Sequence, residues 1–144
     1  MAAAAATFYV RATGSDASDG RTPASAFASI RKAMAAVLNP GDRIVVGPGT
    51  YAEFDLGPAS NGIANRPVVL FADRTGAETG DPPGPVVIRP PAGAMTGFLL
   101  LGRKGVTIDG FEILGSFDAC IQVRTSPDGG TASAAIVIRN VVVS

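Results

Sequence analysis

Val106-Thr107-Ile108-Asp109-Gly110-Phe111-Glu112-Ile113 reads as two short strands bent around a Gly corner, and Ile136-Val137-Ile138-Arg139-Asn140-Val141-Val142-Val143 repeats the figure with Asn in the place of Gly. Abrupt bends need residues that tolerate left-handed dihedrals, which Gly and Asn do best. Working outward, the leading triplet has three earlier counterparts, Ile44-Val45-Val46, Val68-Val69-Leu70 and Val86-Val87-Ile88. The five triplets end at residues 46, 70, 88, 108 and 138, in steps of 24, 18, 20 and 30. A β-branched repeat near that length, punctuated by Gly and Pro, is the mark of stacked strands in a solenoid.

Side chains alternate along a strand, so the first and third residues of each triplet point the same way. The positions expected inside are Ile44, Val46, Val68, Leu70, Val86, Ile88, Val106, Ile108, Ile136 and Ile138, all aliphatic. The triplets are expected to form one parallel sheet in chain order. Pro48 and Pro90 stand where Gly110 and Asn140 do and supply corners of fixed φ. Arg89, Asp109 and Arg139 each follow a triplet directly. Stacked in register they make a charge column whose alternating signs favour the pairing by roughly 0.2–1 kcal/mol per pair, with a sugar-binding face as the alternative reading. Further strands are expected at Thr7 to Val10, Phe98 to Leu101 and Ala119 to Val123.

One amphipathic helix is predicted from Ala24 to Leu38, because Phe27, Ile30, Met34 and Val37 fall on one stripe. Asn39-Pro40-Gly41 stops it. Placed just before the first triplet, its apolar face suits a lid over the open end of a β-stack. The chain divides into residues 1–41 (strand, loop and capping helix) and 42–144 (about five rungs), in one structural domain. The fold class expected is all-β: a right-handed parallel β-helix with an N-terminal amphipathic capping helix.

The chain has 144 residues, 47% of them hydrophobic, with 12 basic against 12 acidic side chains. Nothing in that balance calls for nucleic acid or an anionic membrane. No run approaches the roughly 18 apolar residues of a membrane span. With no His, the chain offers neither a Ser-His-Asp triad nor a His-ligated zinc. Cys120 is the only cysteine, sits in an apolar run, and reads as core filling.

The residues from Thr7 to Asp42 and beyond resemble the N-terminal part of the pectin-lyase-like right-handed parallel β-helix proteins. The resemblance rests on Tyr9-Val10, Gly14-Ser15-Asp16, Gly20, the run Phe27 to Ala33, Pro40-Gly41-Asp42-Arg43-Ile44, Pro48-Gly49-Thr50-Tyr51, Gly62 with Arg66-Pro67, and Val106 to Phe111. It is specific for fold and unspecific for activity, since members include polysaccharide lyases, glycoside hydrolases, epimerases, tailspikes and adhesins. It implies a secreted, extracellular or cell-surface protein with a polysaccharide or glycan as partner, and more coils than these five. Calcium enters by this analogy alone; the residues themselves identify no cofactor. No catalytic residue carries over, and this segment alone is expected to be inactive. Two functions stay open: a lyase or glycoside hydrolase acting on acidic polysaccharide, and a non-catalytic surface, adhesion or glycan-binding scaffold. Without further C-terminal coils, the open edge is expected to self-associate.

Several further residues have side chains capable of chemistry. Asp16 and Asp19 suit Asx-turns better than a cation site. Arg103-Lys104-Gly105 reads as a solvated turn, Glu112 as a lone outward carboxylate and Asp118 as a turn residue. Gly129-Gly130 lacks the Lys and helix of a phosphate cradle. The ten extra residues before the fifth triplet fall in the polar run Thr125 to Ser133. Such an insertion is expected to project beside the strand Ala119 to Val123, which makes Arg124 and Asp128 the candidate substrate-binding residues.

Overall fold

A computed structural model describes residues 4–37, 39–115, 118–128 and 132–144. Leu38, the expected end of the helix, and Gly129, Gly130 and Thr131 of the expected loop lie outside the described residues. In chain order the elements are β1 (Thr7–Val10), α1 (Ile30–Ala36), β2 (Arg43–Val46), β3 (Gly49–Tyr51), β4 (Val68–Ala72) and β5 (Val86–Ile88). They continue with β6 (Thr96–Leu101), β7 (Lys104–Asp109), β8 (Glu112–Ile113), β9 (Ala119–Arg124), β10 (Ala134–Arg139) and β11 (Val142–Val143). The protein is all-β in character, and the strands pair in parallel.

The first sheet has the order β1-β2-β4-β7-β10. Its register aligns Phe8, Ile44, Leu70, Ile108 and Ile138 in one inward column. Tyr9, Val45, Phe71, Asp109 and Arg139 form the next column, on the opposite face because side chains alternate. Eight of the ten positions expected inside are 0% exposed. Ile136 is only half-buried and Ile138 is 44% exposed, because β10 is the edge strand and has a neighbour on the β7 side only. The Thr7–Val10 strand also joins this sheet, ahead of the first triplet.

The third triplet departs from expectation. Val86–Ile88 belongs to a second sheet, β11-β8-β5-β3, in which Tyr51, Ile88 and Ile113 share a column. Both sheets bury an apolar face against one core, so an aliphatic triplet reads alike in either. Residues 73–85, between β4 and β5, displace the expected corner. Gly47 with Pro48, Gly110 with Phe111, and Asn140 with Val141 make the short corners between the two sheets. Gly110 (φ 89°) and Asn140 (φ 54°) take the left-handed conformation foreseen for them. Pro90 follows a strand of the second sheet and is not their equivalent, and Arg89 is absent from the charge column for the same reason.

A third sheet pairs β6 with β9, and Leu56 bridges to Phe98 beside it. Phe98 and Phe111, both fully buried, meet edge to face with ring centroids 5.3 Å apart. Cys120 packs, half-buried, against this core.

The helix is shorter than its apolar stripe. Thr22 caps a 3-10 turn at Pro23–Ser25, and the chain then runs extended. Phe27 bridges to Val10, with its N–H donating to the Tyr9 carbonyl at 2.9 Å. Ser29 caps α1 by accepting from the Lys32 N–H, and the Glu53 carboxylate accepts from the Ile30 and Arg31 N–H groups at 2.9 Å each. These partners satisfy the orphan donors of a first turn, so the helix starts at Ile30. Phe27, Ile30, Met34 and Val37 are nonetheless all buried, and α1 packs on β1 and β2.

Candidate functional site

Residues 73–85 form a strap that is folded around one carboxylate and held down by two arginines. Buried Asp73 accepts from the Glu78 N–H (3.0 Å), the Thr79 N–H (2.8 Å) and the Thr79 hydroxyl (2.9 Å), which folds the first half around one carboxylate. Arg11 on the β1 side grips Asp81 bidentately, through Nε at 2.9 Å and Nη2 at 2.5 Å. That hydrogen bonding holds the Asp81 carboxyl below the usual carboxylate range. Arg43 of β2 pairs with Glu78 through both terminal nitrogens at 3.2 Å. A Cβ added at Gly47 would lie 2.7 Å from Asp81 Oδ2. The strap thus lies against the sheet on both sides of Val45, which is 0% exposed although it alternates outward. Below it, burial pushes the Tyr51 phenol up, and its hydroxyl donates to the Gly47 carbonyl at 2.8 Å.

Next to the strap the outer face opens into a cleft of about 440 Å³. Phe71, Arg74 and Thr75, from β4 and the start of the strap, meet Asp109, Gly110 and Asn140 from the ends of β7 and β10. Asp109 is 8% exposed and has both oxygens engaged: Arg139 Nε donates to Oδ2 at 3.0 Å and Asn140 Nδ2 to Oδ1 at 2.8 Å. Two of the three members of the expected charge column are therefore in contact. The Arg43 guanidinium stacks over the Phe71 ring at 5.7 Å from its centroid. Arg74 is exposed, and its guanidinium makes no hydrogen bond or ion pair among the described residues. Sequence reasoning missed this cleft. The available signal was the outward place of Phe71 in Val68–Ala72, where the other outward residue is Val69.

Arg124 lies elsewhere, at the end of β9 in the third sheet, and Asp128 lies in the turn that follows that strand. Arg124 ends β9 opposite Leu101, and its carbonyl accepts from the Gly102 N–H at 2.8 Å and the Ser133 hydroxyl at 2.9 Å. Ser133 also accepts from the Arg103 N–H at 3.0 Å, so the loop's far end is tied back to the turn before β7. Both candidate side chains are exposed, and neither lines the cleft.

The remaining candidates serve the fold. Asp16 accepts from the Ala28 and Ser29 N–H groups and the Ser29 hydroxyl, and Asp19 from the Arg21 N–H and the Ser25 hydroxyl. Arg103 donates to the Ala59 carbonyl at 3.2 Å, and Lys104 opens β7 rather than a turn. Glu112 is half-buried in register with Val87 and Val142. Gln122 donates to Asp118 at 3.4 Å. Among the described residues no three His, Cys, Asp or Glu side chains cluster as metal ligands, and no helix is long and apolar enough to cross a membrane.

No family model matches the chain, and no curated protein does. Among solved structures it is similar to a rhamnogalacturonan lyase, with a TM-score of 0.58 and 22% sequence identity over 76% of this chain. The chain spans 29% of that lyase's length. At this identity the likeness is one of fold.

Proposed function

We propose that the chain forms the helix-capped section of a secreted, right-handed parallel β-helix protein of the pectin-lyase-like superfamily that acts on an acidic polysaccharide by β-elimination or hydrolysis. The observation that carries the reading is the first sheet: strands from successive passages of the chain pair in parallel and in chain order. Parallel crossovers are right-handed in about 98% of cases, which supports the right hand in this reading. The position of α1 against the first two strands fits a cap on the end of the stack. The likeness to a rhamnogalacturonan lyase supports the polysaccharide class. Fold alone does not imply reaction, so the substrate and chemistry stand on analogy, with Arg124 and Asp128 as the candidate contacts.

The test is a screen of the parent protein on polygalacturonate and rhamnogalacturonan, reading the ultraviolet absorbance of unsaturated products and the release of reducing ends. Product from either polymer is expected. Glycan binding without product would make the protein a recognition scaffold, overturning the catalytic part. Neither binding nor product would overturn the whole reading.

A further inference from the structure

We propose that the cleft over Phe71 is a subsite for a single hexuronate residue, separate from Arg124 at the end of β9 and from Asp128 in the turn after it. It rests on the function proposed above for the kind of polymer, and adds a place and a charge preference.

The cleft combines the three things an acidic sugar ring requires. Phe71 supplies an aromatic surface against which the C–H face of a pyranose packs. Arg74 supplies a guanidinium without a partner among the described residues, and a planar fork of donors matches a carboxylate bidentately. Asn140 gives one amide N–H to Asp109 and keeps the other N–H and its carbonyl oxygen for ring hydroxyls. The volume, about 440 Å³, falls within the roughly 300–1,000 Å³ of small-ligand sites.

Charge selects among ligands. Arg139 and Asp109 neutralise each other at 3.0 Å, so Arg74 leaves the cleft wall net positive. A neutral sugar would leave that cation unused, and a bare inorganic anion would leave the aromatic surface unused. The site is also held ready: Asp109 fixes the Asn140 amide, and Asp73 with the Arg11–Asp81 pair fixes the strap from which Arg74 projects. Preorganisation of this kind lowers the cost of binding.

The experiment is an amide NMR titration of the 144-residue chain with galacturonate, with galactose, which carries a hydroxymethyl group in place of the carboxylate, and with inorganic sulfate. Galacturonate should shift the amides of Phe71, Arg74, Gly110 and Asn140, with galactose weaker by about tenfold, the worth of one charged hydrogen-bonding pair. Arg74→Gln should bring galacturonate down to the galactose level, and Asn140→Gly, which keeps the left-handed corner, should weaken both. Galacturonate binding unchanged in Arg74→Gln, or sulfate matching galacturonate at the same amides, would overturn the subsite. Loss of binding in Arg124→Gln alone would overturn it too, and leave the polysaccharide reading standing. A polyuronate screen without product, beside an intact galacturonate titration, would sink the catalytic reading and spare the cleft.

Discussion

Asp109 and Arg139 face each other across β7 and β10, in register, with Oδ2 and Nε 3.0 Å apart. The same carboxylate takes the side-chain amide of Asn140, the residue that turns the corner after Arg139. One buried anion therefore fixes both a strand register and the start of the next bend.

Replacing Asp109 with Ala should cost stability through both bonds. Arg139 is more than half exposed and can turn to water, so the loss should be about 1–2 kcal/mol. Urea unfolding of the variant would measure it. A cost equal to that of Arg139→Ala alone would mean the Asn140 bond contributes nothing.

The helix is tied to the sheets by its apolar face, so Ile30→Asp should be severe. Ile30 is 0% exposed, and an unpaired carboxylate there should cost about 3 kcal/mol or more. Lys32→Ala, on the exposed side of the same helix, should stay within about 0.5 kcal/mol. Equal effects of the two in chemical denaturation would contradict the packing of α1 on β1 and β2.

The strap makes stability depend on acid. Asp81 has its carboxyl lowered by the hydrogen bonds from Arg11, so the unfolded chain takes up this proton more readily than the folded one. The stabilisation is thus fully present above the ordinary Asp value of about 3.9 and is lost as pH falls through the lower folded value. Denaturation midpoints of the wild type and Asp81→Asn should differ at pH 6 and converge toward pH 2. A constant gap across that range would assign the effect to packing instead.

Gly76 should be intolerant for a reason of space. Its φ is +73°, and an added Cβ would stand 1.8 Å from the Asp81 carbonyl oxygen. Gly76→Ala should open the strap and destabilise by about 1–3 kcal/mol, the range for a strained backbone position. Faster amide exchange confined to residues 73–85 would report the opening, and protection equal to wild type would refute it.

The sheet edges predict association. Ile138, Val142 and Val143 are 44, 50 and 58% exposed on edge strands β10 and β11. Unpaired edges with apolar side chains recruit other strands. Sedimentation of the 144-residue chain should show concentration-dependent oligomers, and Val142→Lys should shift them toward monomer. A monomer at every concentration would leave the edges without that role.

The sequence by itself determined which side chains go inside. Ile44, Leu70, Val106 and Ile108 were legible as core because alternation is a property of each strand, independent of its neighbours. Asp109 and Arg139 were legible as a pair because both end strands followed by the same short corner. The rest depended on partners distant in the chain. Whether Val86–Ile88 joined the first or the second sheet could not be read from its composition, since both sheets bury aliphatic residues; the strap between β4 and β5 decided it. The start of α1 was set by Glu53, more than twenty residues away, accepting the Ile30 and Arg31 N–H groups, and by Phe27 being taken up by β1. The cleft joins Phe71 and Arg74 to Asn140, residues that local pattern gives no reason to associate. Periodicity reports how a segment divides its faces, whereas a site is made of contacts between segments, and only tertiary packing chooses those.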